Sequence, residues 1–183
     1  MSRKLVSALI VLSASVLIVI FILVKEARSP SIPDEEFVTI VHNQMNLDSE
    51  VSETMKSLNA ELTKLVGDGT DYFTVEPYTE AYWSEFIDNT SFNEDKLIEI
   101  ISNLTVDSIR EDLQTAQTLI DIAKKNRDVQ AIKYAYQIIS DLDLWLFNMN
   151  SENKKYFAAT NTFQTFESKK IVNKIKKYID ANS

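Results

Sequence analysis

The chain has 183 residues, with 19 basic and 27 acidic side chains, one histidine and no cysteine. The missing cysteine excludes a lipoprotein anchor, a disulfide framework and thiolate metal sites. Two glycines and three prolines starve the chain of turns and favour long helices over a sheet, while the net charge of −8 disfavours nucleic acid as a partner.

Met1–Lys4 is a short basic lead, and Leu5–Val24 follows it without a charged side chain. As a helix this run is about 30 Å long, the hydrocarbon thickness of a bilayer. Its only polar side chains, Ser7, Ser13 and Ser15, can bond back to their own helix. The run exceeds the ~7–15 apolar residues of a signal-peptide core. A cut after Ala27 would put Lys25 where a small side chain belongs. The sequence therefore predicts a retained transmembrane signal anchor at 5–24, with cleavage after Ser15 as the alternative. Arg3 and Lys4 on one side nearly balance Lys25 and Arg28 on the other. The short tail, residues 1–4, decides for a cytoplasmic N-terminus in the cell membrane, with the rest of the chain outside. Small residues seven apart, Ser7/Ala14 and Ala8/Ser15, offer a face to a second copy or another helix, although lipid-facing positions are the plainer reading.

Residues 25–33 read as a linker, stiffened by Pro30 and Pro33. Beyond it, 34–183 is expected to be one extracytoplasmic domain, large enough for its own core. From residue 29 onward 15 basic side chains face 26 acidic ones, a net of −11. Residues 167–183 alone carry +3, so the body before them is near −14.

Asp34-Glu35-Glu36 suits a helix N-terminus. The spacing of Phe37, Ile40/Val41, Leu47, Val51, Met55, Leu58, Leu62 and Leu65 predicts a helix from about 34 to Val66. A kink or exposed turn is its alternative where His42, Asn43, Gln44 and Asn46 interrupt the stripe. Such an element is a bundle member or, failing that, a stalk. Gly67-Asp-Gly69 ends it. Residues 71–92 are dense in aromatics, with a short helix after Pro77 carrying Tyr78, Tyr82 and Phe86. Ser91/Glu94 and Ser108/Glu111 read as capping boxes. The first opens a helix with Leu97, Ile98, Ile101 and Leu104. The second opens one with Ile109, Leu113, Ala116, Ile120 and Ala123.

Lys124–Asp128 forms a tight reversal into a helix bearing Val129, Ile132, Tyr136, Ile139, Leu142 and Leu146, so 108–149 is predicted to be an antiparallel hairpin. Thr160–Phe166 is poor helix material and reads as extended. A basic C-terminal helix, 167–181, sets Ile171, Val172, Ile175, Tyr178 and Ile179 against Lys169, Lys170, Lys174, Lys176 and Lys177.

No residue pattern points to catalysis, a cofactor or a metal. His42 stands alone, whereas zinc and non-haem iron sites draw on several ligands, and a Ser-His-Asp triad needs partners that spacing does not reveal. Acid pairs such as Asp141/Asp143, Glu35/Glu36 and Asp107/Glu111 are read as ordinary acidic helix surface. Asn148-x-Asn150-x-Glu152 lacks the central glycine and closing glutamate of a calcium loop.

Two candidate contacts remain. Tyr78, Tyr82, Trp83 and Phe86 would suit a protein partner if exposed, although filling the core is the plainer role. The five lysines of the last helix suit a membrane or polyanion if they face out, or the acidic body if they dock on it. The expected fold is thus all-α, a single-pass span followed by a bundle of about five helices. The expected function is that of a non-enzymatic, membrane-anchored accessory or regulator in a cell-envelope complex. A ligand-sensing or carbohydrate-binding helical domain is the alternative, and a carboxylate hydrolase the third reading.

Overall fold

A computed structural model of the chain describes residues 32–45, 49–66, 79–89, 92, 94–149, 155–163 and 165–183. The predicted span, the Gly67–Gly69 turn, Tyr78 and the Ser91 cap lie outside them. Among the described residues the secondary structure is all-helical, with no strand. The α-helices are α1 (Glu35–Gln44), α2 (Ser49–Val66), α3 (Glu80–Asp88), α4 (Glu94–Asn103), α5 (Asp107–Asn126), α6 (Val129–Leu142) and α7 (Phe166–Asn182), and a π-helical turn, Asp143–Phe147, prolongs α6. No helix among the described residues is long and apolar enough to cross a membrane.

The Asp34 carboxylate accepts the Phe37 N–H at 2.8 Å and opens α1. The single helix expected over 34–66 is instead two. α1 stops at Gln44, within the polar run, and the Met45 N–H turns back to the His42 carbonyl at 3.2 Å. Val38 and Val41 are buried from α1, with Met45 just past its end, and Met55, Leu58, Leu62 and Val66 from α2. Their three-and-four spacing is that of a helix with one buried face.

The hairpin predicted over 108–149 is the centre of the fold. Arg127 takes the left-handed conformation (φ 54°) and its N–H closes on the Ala123 carbonyl. One oxygen of Asp128 then caps α6, accepting the N–H groups of Gln130 at 2.8 Å and Ala131 at 3.3 Å. So short a link sends α5 and α6 antiparallel, burying Ile109, Leu113, Ala116 and Ile120 against Ile132, Ala135, Ile139 and Leu142. α2 packs on α6 and the π turn, α1 also meets the π turn, and α3, α4 and α7 pack on α5. The Ser108/Glu111 box is not used. α5 begins two residues earlier than that box would start it, at Asp107, behind Val106, which offers no side-chain cap. On α4 Leu97 and Ile100 are buried, as is Leu104 just past its end, and Ile98 points to solvent.

Between the π turn and α7 the chain runs without helix or strand over 155–163. Yet Tyr156, Ala158, Ala159, Thr160, Thr162 and Phe163 are all buried. Non-helical backbone in an interior needs acceptors for its N–H groups from elsewhere in the fold. The Thr165 hydroxyl ends this segment by accepting the Ser168 N–H at 3.1 Å, which starts α7.

Candidate functional site

Two buried aspartates hold the 155–163 segment. Asp141 on α6 accepts the Phe157 N–H on one oxygen at 2.8 Å and the Ala159 N–H on the other at 2.7 Å. Asp112 on α5 accepts the Asn161 N–H at 2.8 Å on one oxygen. Its other oxygen takes the Thr162 N–H at 2.9 Å and the Thr162 hydroxyl at 2.6 Å. Asp141 is fully buried and Asp112 almost so. Facing side by side from two helices, they turn an irregular strip of backbone into part of the core.

Burial raises both groups. It pushes the Asp112 carboxyl up to about 6, against the pull of Thr162 and of the Asn161 and Thr162 N–H groups, and Glu111 adds its repulsion. Burial likewise lifts Asp141 well above the usual carboxylate range, opposed by the Phe157 and Ala159 N–H groups and reinforced by the charge of Asp112. The folded chain therefore binds the Asp112 proton more tightly than the unfolded chain does. Stability from this group is fully present below about pH 4 and is lost as pH rises through about 6. Asp112→Asn should remove that slope. In urea unfolding at several values between about pH 4 and pH 7, the wild type should lose roughly 2–3 kcal/mol relative to the variant across the range. Parallel pH profiles for the two proteins would contradict it.

The acid pair Asp141/Asp143, read from sequence as surface, is buried at both positions. Asp143 serves different partners, accepting the side-chain amides of Asn59 at 2.7 Å and Asn148 at 2.5 Å. Burial raises its carboxyl too, while those amides and Lys56 pull it down and Glu53 pushes it up. The Asn148 amide also donates to the Ser52 carbonyl at 3.1 Å, so Asp143 and Asn148 join the π turn to α2. Glu35, Glu36, Asp107 and Glu111 are exposed, as expected.

His42 is half-buried, and its Nδ1 lies 2.7 Å from the Leu146 carbonyl. A carbonyl only accepts, so Nδ1 carries the proton and donates it to the π turn. The histidine thus ties α1 to the end of α6. Among the described residues no group of three or more His, Asp or Glu side chains is arranged to hold a metal ion.

Of the four aromatic candidates, Tyr82, Trp83 and Phe86 lie in the interior and Tyr78 lies outside the described residues. The Thr79 hydroxyl accepts the Tyr82 N–H at 3.2 Å and starts α3. The Trp83 ring meets Tyr82 edge-on at 5.3 Å and Phe86 at 6.0 Å, and Phe86 continues to Phe92 at 5.1 Å. These rings fill the end of the core, so their contact area is spent inside the domain.

The lysines of α7 are placed oppositely. Val172 and Ile175 are buried, while Lys169, Lys170, Lys174, Lys176 and Lys177 are all exposed. None of the five lies within 4 Å of a described carboxylate, so among the described residues the helix docks through its apolar face and not through salt bridges. Lys174 sits over the Tyr134 ring at 5.9 Å. A cleft of about 240 Å³ opens where Glu53, Ser57 and Leu58 of α2 face Lys96, Leu97 and Ile100 of α4. That is below the ~300–1,000 Å³ usual for small-molecule sites.

Sequence reasoning missed Asp112 and Asp141. The signal was present, since Asp112 follows Ile109 by three residues and precedes Ala116 by four, on the apolar stripe itself. No family model, curated protein or solved structure matches the chain.

Proposed function

We propose that this protein is a membrane-anchored helical interaction protein, an accessory or regulator of a cell-envelope complex. Residues 5–24 are its single-pass anchor, with the N-terminus cytoplasmic and the helical domain outside. The observation that carries this reading is the uncharged twenty-residue run Leu5–Val24, joined by a linker of nine residues to a domain with its own core. The mechanism is positional: the anchor confines the domain near the bilayer, where a protein partner meets its surface. With Tyr82, Trp83 and Phe86 inside, the large apolar side chains left for that partner among the described residues include Ile40, Ile87 and Ile98, on α1, α3 and α4.

Photo-crosslinking residues placed at Ile40, Ile87 and Ile98 in living cells, with the captured protein identified, test the partner. The same envelope protein should be captured reproducibly from at least one position. The anchor is tested by alkaline extraction and by a phosphatase reporter after Ser183. The chain should stay in the membrane fraction with an active reporter. A freely soluble, N-terminally trimmed chain, or an inactive phosphatase beside an active cytoplasmic reporter, would overturn it.

A further inference from the structure

Helix α7 is held firmly with its lysines outward. Its apolar side is committed to the core through Val172 and Ile175, and Tyr178 meets the Tyr134 ring edge-on at 5.1 Å. The Tyr178 hydroxyl donates to Asp128, and the Asn126 amide donates to the Asn182 carbonyl at 3.2 Å. The helix therefore cannot roll to hide its other face. At 100° per residue, the five lysines cover an arc of about 160°, on which Asp180 is the sole acid.

We propose that this face, Lys169, Lys170, Lys174, Lys176 and Lys177, is a contact for anionic phospholipid headgroups that lays the domain against the bilayer. The proposal rests on the tethered reading. Nine residues separate Val24 from Asp34, which at most spans about 35 Å, so the domain stays within reach of the lipid surface. A body near −14 is repelled by an anionic bilayer, and the +3 C-terminal segment is attracted to it. The opposition of the two fixes an orientation, because only with α7 facing the lipid do both terms act favourably. The apolar face of α7 is already used in the core, so the contact is electrostatic and does not insert into the acyl region. It is therefore screened by salt.

The test uses the full chain. It has no cysteine, so Asn173→Cys, an exposed position among the lysines, takes a single fluorophore. Energy transfer to a headgroup-labelled lipid is read in nanodiscs of phosphatidylcholine, with and without phosphatidylglycerol. Each lysine near an anionic surface is worth about a fivefold preference, so the ratio of lipid-facing to free domains should rise about tenfold or more with phosphatidylglycerol. High salt should abolish the rise, as should glutamine at all five lysines in a protein whose circular dichroism and melting are unchanged. Equal transfer in the two lipids overturns the proposal, as does a rise that survives the five substitutions. Binding of soluble polyglycerol phosphate with no response to phosphatidylglycerol overturns it in favour of a wall polymer. A chain that enters neither nanodisc overturns the tether instead, and flotation of that chain with phosphatidylglycerol vesicles then decides the lysine face alone.

Discussion

Asp141→Ala is expected to lower the unfolding free energy by about 2–4 kcal/mol at neutral pH, from the loss of an acceptor shared by two backbone donors. The N–H groups of Phe157 and Ala159 would keep their places in the interior with nothing to receive them. Each such orphan costs about 1–3 kcal/mol, and part of the sum is offset because the desolvation cost of the buried carboxyl disappears as well. That offset separates alanine from asparagine. Asp141→Asn keeps one oxygen as acceptor and never ionises, so it should be the milder change, although its amide faces the second donor. Urea unfolding of both variants, with the slopes compared, measures this directly. If Asp141→Ala unfolded within about 0.5 kcal/mol of the wild type, the aspartate would not be what holds residues 155–163 in the core.

Trp83→Ala should be the most damaging change in the aromatic cluster, at about 3–5 kcal/mol. Its ring is almost wholly buried between Tyr82 and Phe86. Truncation removes dispersion contacts on both sides and leaves a cavity that neighbouring rings cannot collapse into. A domain of this size has a total stability of about 5–15 kcal/mol, so the variant should be partly unfolded near physiological temperature. Ile98→Ala is the matching control, because that side chain is 49 % exposed and should change stability by less than about 1 kcal/mol. Denaturation read by far-ultraviolet circular dichroism distinguishes them. Equal stability for Trp83→Ala and the wild type would show that the ring belongs to a surface.

These two expectations mark where the sequence was readable and where it was not. The α5–α6 hairpin is legible because its signals are local: an apolar stripe at helical spacing, basic residues at the end of α5, and Asp128 three residues before Ala131. α7 is legible for the same reason, and so is the outward placement of its lysines once the apolar face is given. Whether those lysines would dock on the acidic body was not legible, since that depends on which carboxylates the fold brings near them. The aromatic stretch was ambiguous because tyrosine and tryptophan serve interiors and interfaces equally well. The 155–163 segment was opaque for a different reason. Its N–H groups are satisfied by side chains 16 to 50 residues away, and no local pattern encodes such a pairing. The break after α1 was half-visible, as a gap in the stripe that does not itself distinguish a kink from an end.

The order of those pairings along the polypeptide has a consequence for how the domain matures. Asp112 and Asp141 both precede the groups that satisfy them, so a chain emerging from its N-terminal end exposes two acids before it has delivered any donor. The central hairpin at that moment carries two like charges bound for one interior, with only water to solvate them. Completion waits for the 155–163 segment. Until Phe157 to Thr162 arrive, the two carboxylates favour an open, hydrated hairpin over a closed one, and so defer closure until that segment has been made.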